Sequence, residues 1–137
     1  MIRTVVKDEL ILRIPSKPAD KSDAGIIRDL LDTSEANRKH CVGMAANMIG
    51  EHKTILTFMT SGRFEVMVNP EIVSHSAASF ETEEGCLSLR GTRKAVRYPI
   101  ITVEYLDKNF RKKKGIFRGM EAQIIQHEID HFSGKII

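Results

Sequence analysis

The residues best suited to chemistry in this 137-residue chain lie near its end, in His127-Glu128-Ile129-Asp130-His131. The run fits H-E-x-x-H, in which two histidines bind one metal ion and the glutamate handles a proton. At about 100° per residue, His127 and His131 fall about 40° apart on one helix face. Two imidazoles one turn apart can grip a tetrahedral cation from the same side. Glu128 then lies near the cation but out of line with the ligands, a place for a general base acting on water. Met120 and Ile124 share the histidine face, which predicts a site backed onto the core. The plainer reading is a helix that happens to carry two of the chain's five histidines. The intervening glutamate and the amphipathic setting weigh against it.

A catalytic site of this kind needs a third protein ligand. In metzincins it is a histidine just beyond H-E-x-x-H, but here Ile137 stands at that position. Only six residues follow His131, and none is Asp, Glu, His or Cys, so the third ligand is expected upstream. Cys41, Cys86, His40, His52, His75 and many carboxylates are available there. Cys86 is favoured by its setting, Glu84-Gly85-Cys86-Leu87-Ser88. Gly85 permits close approach of a backbone or ligand, and the flanking residues suit an extended edge that pairs with a peptide. A thiolate is a strong metal ligand, and metal binding deprotonates it at neutral pH. Cys41 is the rival thiol, and either cysteine has the plainer reading of a buried structural residue.

The elements that must position these groups read as follows. Ile26, Ile27, Leu30 and Leu31 at helical spacing predict a helix over about 20–38, with Asp20, Ser22 or Asp23 as N-cap. Residues 43–50 form a small-residue segment. Thr54–Phe58 and Phe64–Val68 are expected strands, the second ending at Asn69-Pro70. Ile100–Leu106 alternates, with Ile101, Val103 and Tyr105 on one side, and Phe110–Phe117 is its expected hairpin partner. The last element is a helix over about 118–133, with Gly134 at its C-terminal cap. Strands in the middle and a helix near each end indicate an α+β fold in one domain, residues 1–137.

Composition narrows the function classes. The chain is 42% apolar and 28% charged, values of a globular rather than a disordered protein. No apolar run is long enough to span a membrane, and charges interrupt the N-terminus too early for a signal peptide. Two cysteines are too few for a disulfide framework, which points to a cytoplasmic protein. The net charge of +3 is concentrated in Arg90-Arg93-Lys94-Arg97 and Arg111-Lys112-Lys113-Lys114. Without interleaved aromatics these read as solvated loops, and no specific nucleic acid is expected as a partner.

With Cys86 and H-E-x-x-H together, the sequence closely resembles the peptide deformylases. That family carries G-x-G-L-A-A-x-Q, E-G-C-L-S and Q-H-E-x-D-H in this order. Glu84–Ser88 matches the second motif fully and Gln126–His131 the third. The first departs. In Cys41-Val42-Gly43-Met44-Ala45-Ala46-Asn47-Met48, Cys41 replaces a glycine, Met44 the leucine and Met48 the glutamine. Arg90 stands where the family often has proline.

The resemblance implies antiparallel β-sheets around a central C-terminal helix that carries H-E-x-x-H. It also implies hydrolysis of the N-formyl group from the initiator methionine of nascent proteins. Cys86, His127 and His131 are then the metal ligands, for Fe2+ in the cell, or Zn2+, Ni2+ or Co2+ in its place. Glu128 moves the proton. The developing oxyanion is held by the metal, by the backbone N–H of Leu87, and by a glutamine amide at the position of Met48. Val42, Gly43, Gly85, Gln123 and Ile124 line the peptide groove and methionine pocket. The implied partners are N-formyl-Met peptide termini and, transiently, the ribosome surface, with no membrane.

A thioether cannot donate a hydrogen bond, so Met48 predicts a slower enzyme, altered substrate choice, or a paralogue that binds N-terminal peptides or acts on another formylated or acylated amine. A zinc protease is a weaker alternative, since the downstream ligand is missing.

Overall fold

The computed structural model describes residues 1–135 and 137. Three helices and seven strands carry the architecture among them: α1 (Glu9–Leu12), α2 (Ala24–Ala36), β1 (Gly43–Ala45), β2 (Ile55–Thr60), β3 (Arg63–His75), β4 (Phe80–Cys86), β5 (Leu89–Arg97), β6 (Ile100–Leu106), β7 (Lys112–Arg118) and α3 (Gly119–Phe132). Two antiparallel sheets result, one in the order β1-β2-β3-β6-β7 and the other the hairpin β4-β5. This is the α+β architecture that the residue pattern and the resemblance both indicate.

Local chemistry accounts for the turns and ends. Ser61 and Gly62 both adopt positive φ in the two-residue loop that joins Thr60 to Arg63, the backbone of a primed turn that matches the strand twist. Asp20 accepts from the Ser22 N–H and Asp23 from the Asp20 N–H, a capping box ahead of α2. Gly134, with φ +81°, ends α3 in the left-handed conformation that glycine adopts freely.

The five-stranded sheet separates two apolar layers because successive side chains point to opposite faces. Leu56, Phe58, Met67, Ile101 and Val103 meet Ala122, Ile124, Ile125 and Phe132 of α3. Ile55, Val66 and Val68 meet Leu12, Ile27, Leu30 and Met48 on the other side. Each such side chain contributes about 1.5–3 kcal/mol on burial. The sheet thus holds α3 along its whole length, and with it the H-E-x-x-H run.

Several expectations are corrected. β3 does not stop at Asn69-Pro70 but runs on to His75 through register shifts after Val68 and Ile72. Asn69 takes φ +50°, and its side chain bonds to the Ala19 backbone and to Thr54, so the irregularity is pinned rather than terminal. The helix expected over 20–38 is a 3-10 turn at Lys21–Asp23 followed by α2. The return strand begins at Lys112, after a turn in which Asp107 accepts from Asn109 and Arg111. The four-residue α1 was not expected.

Candidate metal centre

The site forms where α3 passes the end of β4. Cys86 Sγ, a nitrogen of His127 and a nitrogen of His131 all lie within 4.8 Å of one another. Cys86 Sγ is 3.6 Å from His131 Nε2, and the two Nε2 atoms are 3.2 Å apart. The helical spacing stacks the two rings edge to face, with centroids 4.9 Å apart.

The far side of His127 is fixed. Its Nδ1 lies 2.8 Å from Glu84 Oε1. That turns Nε2 toward His131, the orientation in which a carboxylate holds a metal-binding imidazole. His131 is almost fully buried. Burial and then the neighbouring His127 push its pKa down to about 3, so it stays neutral, as a ligand must. The donor set of one thiol and two imidazoles, facing inward beside an unpartnered carboxylate oxygen, fits a divalent cation of the zinc or iron type.

Glu84 is itself gripped from three sides. Arg97 donates to both of its oxygens, with Nη2 2.6 Å from Oε1 and Nε 3.0 Å from Oε2. Gln123 Nε2 donates to Oε2 at 2.9 Å. Burial alone would raise the pKa of this carboxyl, but the bonds from His127, Arg97 and Gln123 outweigh it and hold the pKa at about 2. Arg97 Nη1 also reaches Asp130 at 2.6 Å, tying β5 to α3 within the histidine motif. Arg97 is only 4% exposed, which corrects its reading as part of a solvated basic loop. Nothing in the local sequence separates it from Arg90, Arg93 and Lys94. Only the burial of its partner Glu84 does so.

Glu128 is buried against the same space. Its Oε1 finds no protein hydrogen-bond partner, and burial, partly offset by His127, raises its pKa to about 7. A carboxyl in that state both accepts and returns a proton near neutral pH.

A cavity of about 230 Å³ opens onto these groups. Of the residues expected at the site, Val42, Gly43, Met48, Gly85, Cys86, Leu87, Gln123, Ile124, His127 and Glu128 all line it, and His131 is buried behind them. Cys41 lines it too, but lies outside the three-residue ligand group. Its thiol donates to the Gly43 carbonyl at 2.9 Å, and burial, reinforced by the Glu128 charge, raises its pKa to about 12.

Two details differ from expectation, at Met120 and Gly85. Met120 does not face the core; it is 68% exposed at the cavity. Gly85 is not required by close approach of another part of the chain, since a Cβ there would meet no protein atom nearer than 3.6 Å. Gly43 is so required: a Cβ would lie 2.6 Å from Ile124 Cγ2 and 2.9 Å from the Thr57 carbonyl. Met48 supplies no donor. Its sulfur instead accepts from the Ala45 N–H at 3.5 Å.

Comparison with known proteins bears on the family and the fold. Residues 2–137 match the family model of polypeptide deformylase. A peptide deformylase of Clostridium beijerinckii is 54% identical over 137 residues, which is 100% of both chains. One of Dictyoglomus thermophilum is 34% identical over 144 residues, covering 100% of this chain and 91% of its own. Among solved structures, a peptide deformylase from Legionella pneumophila superposes with a TM-score of 0.88 at 36% identity, covering 99% of this chain and 83% of that one. An actinonin-bound class I type b peptide deformylase from Acinetobacter baumannii gives a TM-score of 0.87 at 28% identity, covering 99% and 95%.

Proposed function

Because the chain belongs to the polypeptide deformylase family, we propose that its cavity removes the formyl group from the N-terminal methionine of nascent proteins, with Glu128 as the proton carrier. The reaction is hydrolysis of an amide: water adds to the formyl carbon, the C–N bond breaks, and formate and a free amine leave. The whole chain acts as one metallohydrolase domain. The observation that carries the assignment of roles is the gathering of Cys86, His127 and His131 within 4.8 Å, next to a buried carboxyl with an unpartnered oxygen.

Cys86, His127 and His131 would hold one divalent cation, Fe2+ in the cell, with Zn2+, Ni2+ or Co2+ accepted by the same thiolate and imidazole donors. When bound, that cation makes water acidic near neutral pH and polarises the carbonyl. Glu128 takes the proton from the attacking water and returns it to the departing amine, for which a pKa of about 7 is suited. The Leu87 N–H donates to the carbonyl oxygen as negative charge develops there.

Strand β1 lies at one edge of the large sheet and β4 at one edge of the small one, so an extended peptide has backbone groups to pair with. Val42, Gly43, Gly85, Gln123 and Ile124 would form the groove and side-chain pocket. The proposed setting is the cytoplasm, where formyl-methionyl termini leave the ribosome surface, without a membrane and without a specific nucleic acid. Among the described residues no helix is long and apolar enough to cross a membrane. Lys113 and Lys114 lie within 4.0 Å of Asp107 and Glu104, which tempers the basic cluster on β7.

The test is formate release from formyl-Met-Ala-Ser by protein purified anaerobically with ferrous iron, beside Glu128→Ala. Turnover by wild type, with a loss of about 100-fold or more in the variant and metal content unchanged, is the expected result. Loss of metal from Glu128→Ala would contradict its role.

A further inference from the structure

Gln123 and His127 are one turn apart on α3, and both reach the same carboxylate on β4. Gln123 Nε2 bonds Glu84 Oε2 at 2.9 Å, and His127 Nδ1 lies 2.8 Å from Glu84 Oε1. Gln123 is half-buried and also lines the cavity. The other pocket-lining residues of this helix turn, Met120 and Ile124, are apolar and have no bond to Glu84. Gln123 thus combines two environments: its side chain bounds the space that receives a substrate's side chain, while its amide anchors the group that orients His127.

We infer that Gln123 is a positioning residue that couples the wall of the side-chain pocket to the orientation of His127 through Glu84. The inference rests on the proposed metal centre. The Gln123 amide holds Glu84 Oε2 in place, and Glu84 in turn holds the imidazole plane. An apolar side chain of the same length would line the pocket equally well but leave Oε2 with Arg97 alone.

The experiment uses cobalt-loaded full-length protein as wild type, Gln123→Met and Met120→Ala. Three readouts are taken: the rate at which a chelator strips cobalt, the visible cobalt spectrum, and kcat and KM for formyl-Met-Ala-Ser. Gln123→Met is expected to lose cobalt about tenfold faster with a shifted spectrum, and to fall in kcat by more than KM rises. Met120→Ala, which borders the same pocket without touching Glu84, is expected to change KM while keeping wild-type cobalt retention.

Wild-type retention and spectrum in Gln123→Met, with only KM raised, would overturn the coupling and leave Gln123 as pocket wall. Equal cobalt loss in Met120→Ala would overturn it as well. Should Gln123→Met not fold, Gln123→Ala carries the same comparison. A wild type that takes up no cobalt would refute the metal centre itself, a separate and recognisable result.

Discussion

Gly43 is where the fold and the chemistry constrain one another most tightly, and Gly43→Ala tests both. The added methyl carbon would lie 2.6 Å from Ile124 Cγ2, 2.9 Å from the Thr57 carbonyl oxygen and 3.1 Å from Glu128 Oε2. Ordinary contacts begin near 3.4 Å, so Ile124 must retreat by roughly 0.8 Å and the Thr57 carbonyl by roughly 0.5 Å. Neither moves freely. Ile124 is packed between α3 and the sheet, and Thr57 pairs with Met44 in the β1–β2 ladder.

Overpacking of this kind costs about 1–3 kcal/mol of stability. Crowding of Glu128 Oε2 is milder, roughly 0.3 Å by the same measure, so its catalytic penalty is well below the loss of about 100-fold that a 1 Å displacement of a catalytic group brings. The expected phenotype is a urea midpoint lowered by an amount equivalent to about 1–3 kcal/mol, kcat down by about 3- to 10-fold, and near-normal retention of cobalt, because none of the three crowded atoms belongs to a proposed ligand. Equilibrium unfolding, formate release and metal analysis read these separately. A variant with wild-type midpoint and wild-type kcat would show that the strand and helix do not approach as closely as described, and the packing argument would fail.

Met48→Gln restores a side-chain donor beside the cavity, and one oxyanion donor is worth about 100- to 1000-fold in rate. Its kcat should therefore rise toward that range, and an unchanged kcat would mean that another donor already serves the oxyanion. Cys86→Ala should lose cobalt, whereas Cys41→Ala should keep it, because Cys41 is committed to the Gly43 carbonyl; metal analysis of both decides which thiol is the ligand. Glu84 makes stability pH-dependent. Its pKa is lowered from 4.5 to about 2 on folding, so its contribution is fully present above pH 4.5 and is lost as pH falls toward 2. The difference corresponds to about 3 kcal/mol. Urea unfolding from pH 6 down to 2 should show this loss in wild type and a flatter profile in Glu84→Gln; identical profiles would refute it.

Residue chemistry and spacing alone determined a good deal of this protein. His127 and His131 share a face because the α-helix repeats every 3.6 residues, whatever surrounds it. The strand at Ile100–Leu106 follows from alternation, and the end of α3 from Gly134, since both signals are local. Cys86 stood ahead of Cys41 on its setting and on the resemblance, but only the packing of β4 beside α3 brings the Cys86 sulfur to the histidines and turns Cys41 toward a backbone carbonyl. Arg97 looks like its basic neighbours until a buried carboxylate stands beside it. Asn69-Pro70 reads as a stop until Ala19 and Thr54 arrive to bond the asparagine and carry the strand on to His75. Gly43 and Gly85 look equally permissive, yet only Gly43 has a helix against it. These features depend on contacts between residues far apart in the chain, and a periodicity or motif records nothing of what the fold will place on the other side of a residue.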